Sequence, residues 1–229
     1  MSFQAILQLI TALAANLGIN AIPAGLVLIG GNSAATAMVL YFLENLVSVL
    51  LPAARVRILA PANDEAYADM GYDNVETSVD GQIRSQRKIL RTRRVLIGDF
   101  VLMALLFSLG TGIFLGAFLF LVLQADVPGS AILAGMEGII AFQLVAFVAD
   151  LVLLGPLTPA HAEVLLEQSM GRVGLIYFAV FIGAILAAVL GNSAFVLPFA
   201  ALKTITDLAS TIQGFRAHHQ ISGSVSAAR

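Results

Sequence analysis

Apolar residues fall in runs of about 20, the length of helix that crosses a hydrocarbon core of about 30 Å, and short polar clusters separate the runs. The first run predicts a span over 5–29, with Asn16, Asn20 and Pro23 inside it; Pro23 removes one backbone donor and predicts a kink. Gly30-Gly31-Asn32-Ser33 predicts a turn, and a second span over 34–51 is predicted to stop at Pro52. A polar segment, 53–93, follows. Further spans are predicted over 95–123 and 130–154, joined by a turn at Ala125-Asp126-Val127-Pro128-Gly129. A second polar stretch, 155–172, predicts a short surface helix from Ala162 to Ser169. Spans over 173–190 and 194–215 complete the pattern, with a turn at Gly191-Asn192-Ser193 between them and a polar tail, 216–229. The expectation is an all-α membrane protein, a bundle of about six transmembrane helices in one domain, 1–215, with a loop between the second and third.

Composition supports this reading. Of 229 residues 59% are hydrophobic and 11% charged, against about 45–50% and about 25% in soluble domains. Mean hydropathy is +0.93. Membrane strands would instead alternate over short segments. The net charge of -2 gives no electrostatic footprint for nucleic acid. There is no cysteine, which excludes disulfides, thiolate metal sites and a cysteine nucleophile. No Lys or Arg precedes Arg55, so the first run lacks the basic flank of a cleaved signal and is expected to be retained.

Orientation follows from the basic residues. Every Lys and Arg except Lys203 and the boundary residue Arg94 falls in 53–93, in 155–172 or in the tail. Because basic loops stay in the cytoplasm, both termini are expected inside. The run Arg84, Arg87, Lys88, Arg91, Arg93 and Arg94 is a candidate contact for anionic lipid headgroups, and equally a topology signal.

Ionisable residues at membrane depth carry the functional information, since a charge at a helix centre costs about 2.5–3.5 kcal/mol even on a lenient scale. Glu44 and Lys203 lie at matching depths, roughly 16 and 15 Å from the outer turns at about 1.5 Å per residue, and are expected to pair. Tyr41 shares a helix face with Glu44, Asp207 follows Lys203 by one turn, and Asn16 and Asn20 have similar depth. Two acids against one base leave a surplus negative charge, which would permit proton coupling.

Other signals are thinner. Gly112 and Gly116, Ala134 and Gly138, and Gly183, Ala187 and Gly191 recur at spacings that let helices approach, within the chain or between copies. Gly110-Thr111-Gly112 lies inside a span and lacks the strand of a nucleotide loop. Gly-Asn-Ser-Ala occurs at both Gly31 and Gly191, which ordinary capping explains as well as an internal duplication. His161 with Glu163 and Glu167, or His218 with His219, gives no complete ligand set, and hydrolase signatures are absent, so no metal, cofactor or catalytic residue is expected.

The stretch Asn16-Leu17-Gly18 through Gly30, followed by Leu40-Tyr41-Phe42-Leu43-Glu44-Asn45-Leu46, resembles the bacterial domain-of-unknown-function family 6498, whose hallmark is a Tyr-Trp-x-Glu-Asn segment; Phe42 stands at the Trp position. Leu202-Lys203-Thr204 with Asp207 and the later His218 is similar to that family's ending. The resemblance implies a bacterial inner-membrane protein, adds Asn45 to the polar set and supplies no activity. Two readings follow. One is a small-solute or proton-coupled permease with a midplane site at Asn16, Asn20, Tyr41, Glu44, Asn45, Lys203 and Asp207. The other is a non-transporting assembly or regulatory protein whose ion pair is structural and whose partners are lipid, a second copy or another membrane protein. An enzyme would require a pocket gathering His161, Glu163 and Asp150.

Overall fold

The computed structural model describes residues 3–62, 67, 92–153, 156–190 and 199–212. All the extended elements among them are helices: α1 (Phe3–Leu28), α2 (Ala34–Leu59), α3 (Arg93–Ala117), α4 (Gly129–Leu153), α5 (Pro159–Leu190) and α6, residues 199–212. Five of these, α1 to α5, are long and apolar enough to cross a membrane. The start and end of the predicted sixth span lie outside the described residues, as do the second Gly-Asn-Ser-Ala turn, the acids from Asp64 to Asp80 and the polar tail.

Local chemistry fixes most helix ends. Gly31 takes a left-handed φ of +65°, which lets the amide of Asn32 return to the carbonyl of Leu26 at 3.1 Å and closes α1. Ser33 then caps α2 by accepting from the amide of Thr36 at 3.3 Å. The end of α3 widens into a π-helical turn, Phe118–Val122, before the chain reverses. Ser33 also donates to the carbonyl of Asp126 at 3.0 Å, which holds the α1–α2 and α3–α4 turns at one end of the bundle.

The opposite end is basic. Arg93 Nη1 donates to the carbonyls of Arg57 at 3.1 Å and Ala60 at 3.0 Å, and the amide of Leu157 donates to Leu59 at 3.0 Å. These bonds satisfy carbonyls that the last turn of α2 leaves without helical partners. The predicted stop at Pro52 is corrected: α2 runs through it. Proline deletes only one donor, and buried Val49, Ala53 and Val56 hold the following turn in the core. A second correction concerns 155–190. No separate surface helix forms; Pro159 occupies the first helical position, Thr158 accepts from the amide of His161 at 3.3 Å, and one helix of 32 residues continues past Gly171 and Gly174.

The bundle packs around α2, whose Leu40, Tyr41, Glu44, Asn45, Val49 and Val56 are fully enclosed. Phe114 of α3 stacks on Phe181 of α5, ring centroids 4.1 Å apart. Close approach explains some of the small residues: a Cβ on Gly112 would meet Phe42 at 2.9 Å and one on Gly138 would meet Ile22 at 2.8 Å, whereas Gly116 faces open space. The outward faces of α3, its π-helical turn and α4 expose Leu102, Phe107, Ile113, Phe120, Leu133 and Val152, each at least half exposed. Water does not tolerate a continuous apolar surface of that extent on a stable monomer.

Candidate functional site

Helical periodicity brings six of the seven predicted residues into one cluster. Tyr41 and Glu44 share the inward face of α2, Asn16 and Asn20 are a turn apart on α1, and Lys203 and Asp207 are a turn apart on α6. Lys203 Nζ lies 2.8 Å from Glu44 Oε2 and 3.0 Å from Oε1. The predicted pair is therefore made. The same ammonium donates to Asp207 Oδ2 at 2.9 Å and to Asn20 Oδ1 at 2.5 Å, and stands 5.4 Å from the centre of the Tyr41 ring.

Asn20 works from both ends of its amide. Its Oδ1 accepts from Lys203 while its Nδ2 donates to Asp207 Oδ2 at 2.9 Å, and its backbone carbonyl accepts from the Tyr41 hydroxyl at 3.2 Å. Asn16 donates to Thr211 Oγ1 at 2.7 Å, and that hydroxyl donates in turn to the carbonyl of Asp207 at 2.8 Å. The side chains of Glu44, Lys203 and Asp207 are all 0% exposed. Charges so enclosed persist only when paired and hydrogen-bonded.

The surplus negative charge expected from the sequence is corrected by a residue that reading missed. Arg172 of α5 donates from Nε to Asp207 Oδ1 at 2.9 Å. Glu44 and Asp207 thus face Lys203 and Arg172, and the cluster is charge-balanced across four helices. The sequence pattern puts Arg172 at the end of a polar stretch, beyond the predicted surface helix. The signal for it was present, because His161, Gln168 and Arg172 fall on one helical face in a stretch whose last proline is Pro159.

Asn45 is the predicted residue that stands apart. It is 0% exposed and sits beside Tyr177, and neither amide atom makes a hydrogen bond of normal geometry among the described residues. Tyr177 is hydrogen-bonded to Ser108. Of the basic run, Arg84, Arg87, Lys88 and Arg91 lie outside the described residues; Arg93 is engaged with the end of α2, and Arg94 is exposed. Glu137 lies on the exposed face of α4, away from the cluster.

A cavity of about 250 Å³ lies between the cluster and the basic end. Arg55, Gln143, Asp150, His161, Gln168 and Arg172 supply its polar lining, together with Asn16, Thr211 and three serines. Arg55 Nη2 pairs with Asp150 at 2.5 Å. Gln143 spends its Nε2 on Ser48 Oγ at 2.8 Å and on the carbonyl of Glu44 at 3.3 Å. Glu44, Lys203 and Asp207 do not line this space; Arg172 and Asn16 do, and each is bonded to α6. Glu163, required with His161 and Asp150 for the enzyme reading, is not on the lining. No group of three His, Asp or Glu residues able to hold a metal occurs among the described residues.

The profile of a family described as one of unknown function (DUF6498) matches residues 4–226, nearly the whole chain. The match covers both segments on which the resemblance was read. No curated protein and no solved structure matches the chain.

Proposed function

We propose that this chain, which belongs to the family of unknown function DUF6498, spans a membrane and receives a small polar solute in the cavity beside its buried ion cluster. The observation that carries the reading is the contrast between two neighbouring polar regions. The cluster is dry, paired and charge-balanced, the character of a structural partition. The cavity has room for a small molecule and keeps polar groups on its wall. On this reading the basic end faces the cytoplasm, by the distribution of Lys and Arg, and the solute enters from that side.

Charge balance argues against the proton site at Glu44 or Asp207, because neither carboxylate lacks a cation. A second reading draws on the same balance: the cluster serves only to fix helix register, and the protein acts by assembly with another membrane protein. The two readings differ in what the cavity does. Absence of native cysteine makes a single reporter clean. Ser169 lines the cavity, so Ser169→Cys, reconstituted in vesicles, is expected to react with a water-soluble maleimide. At least one probe among glycerol, urea, acetate, phosphate and methylammonium is expected to slow that reaction saturably. Failure of all five would favour the assembly reading.

A further inference from the structure

We propose that the cavity holds the anionic group of a small solute, a carboxylate or phosphate, between the guanidinium groups of Arg55 and Arg172. The inference rests on the reading of the cavity as a solute site and names the chemistry it selects. The charged lining is two guanidinium groups and one carboxylate, Asp150; Asp207 is not exposed to the space. Asp207 is also spent, since Asn20, Lys203 and Arg172 already donate to its two oxygens.

Donor accounting points the same way. A guanidinium carries five N–H groups in a planar fork. Among the described residues Arg172 uses Nε alone, and its side chain is 26% exposed where it lines the cavity. Arg55 uses Nη2 on Asp150, while its Nε is buried without a hydrogen-bond partner among the described residues. The Phe147 ring centroid lies 5.9 Å from Arg55 Cζ, within cation–π range. Both guanidinium groups line the same cavity. An anion placed between them takes up idle donors, an arrangement suited to the paired oxygens of carboxylate and phosphate.

One acceptor refines the class. Gln143 also lines the cavity, and its Oε1 is buried without a hydrogen-bond partner among the described residues. A solute carrying an O–H or N–H beside its anionic group would satisfy it, which favours a hydroxy or amino acid, or a hydrogen phosphate, over a bare halide.

The experiment uses the full chain carrying Ser169→Cys in phosphatidylcholine nanodiscs, with maleimide labelling as the readout. Acetate and phosphate are expected to slow labelling saturably while glycerol and urea do not. Adding Arg55→Gln with Asp150→Asn, which removes the cation without leaving a lone carboxylate, is expected to weaken that protection roughly tenfold, the worth of one charged hydrogen bond. Protection that appears only when phosphatidylglycerol replaces phosphatidylcholine assigns the anion to a lipid headgroup; protection by free acetate or phosphate in phosphatidylcholine assigns it to a soluble molecule. Both support an anion held between the two guanidinium groups, and the lipid outcome gives up the soluble-solute reading of the cavity. If glycerol, urea or methylammonium protects as well as the anions do, or the double substitution changes nothing, the anion assignment is overturned and the cavity reading stands. If no probe and no lipid protects, both fall.

Discussion

Arg172 Nε stands 2.9 Å from Asp207 Oδ1, and that bond is the seam between the dry cluster and the cavity. Arg172 lines the cavity and Asp207 does not, so one residue serves two environments. Remove it, and the enclosed charges no longer balance. Arg172→Gln is expected to lower the unfolding free energy in detergent by about 3–5 kcal/mol, the cost of breaking one partner of a buried pair. Arg172→Gln with Asp207→Asn restores the balance and is expected to recover part of that loss. Far-UV circular dichroism against denaturant measures both; strictly additive losses would refute the four-charge account.

Packing at the helix crossings gives a second prediction. A Cβ on Gly135 would lie 2.7 Å from Leu40 Cδ1 and 3.0 Å from Leu26 Cδ1, and Leu40 is fully enclosed. Gly135→Ala is therefore expected to destabilise by about 1–3 kcal/mol through overpacking. Gly116→Ala meets no atom within 4 Å and is expected to be neutral or to stabilise by up to about 1 kcal/mol through helix propensity. Thermal unfolding of the two variants side by side distinguishes them.

Arg93 separates two roles for the basic run. Its Nη1 holds the carbonyls of Arg57 and Ala60, so Arg93→Ala is expected to cost about 1–2 kcal/mol whatever the lipid. A headgroup contact would instead produce an effect only in anionic bilayers. Unfolding in phosphatidylcholine and in phosphatidylglycerol nanodiscs decides between them.

The pairing of Glu44 with Lys203 was legible in the sequence because both residues stand in long apolar runs, where depth can be counted from a turn. Tyr41 followed from helical spacing and Asn20 from its depth. Arg172 escaped because its helix starts in a polar stretch, whose pattern predicts only a short surface helix ending at Ser169. The chain stays helical because Pro159 sits where a helix begins and Thr158 caps it, a signal outweighed by the charged residues after it. Arg55 escaped for the same reason: Pro52 was read as a stop, yet burial of Val56 and Ala53 carries α2 onward. The cavity was not legible, since it arises from three-dimensional packing of α1, α2, α4, α5 and α6 rather than from any run of residues.

On the proposed reading the bundle crosses the membrane with the Ser33 turn at one surface and the basic end, beside the cavity, at the other. In one preparation of sealed vesicles, an impermeant maleimide applied from outside should label Ser33→Cys and Ser169→Cys in opposite protein orientations, each only when its own surface faces the reagent. Labelling of both positions from the same side would contradict it.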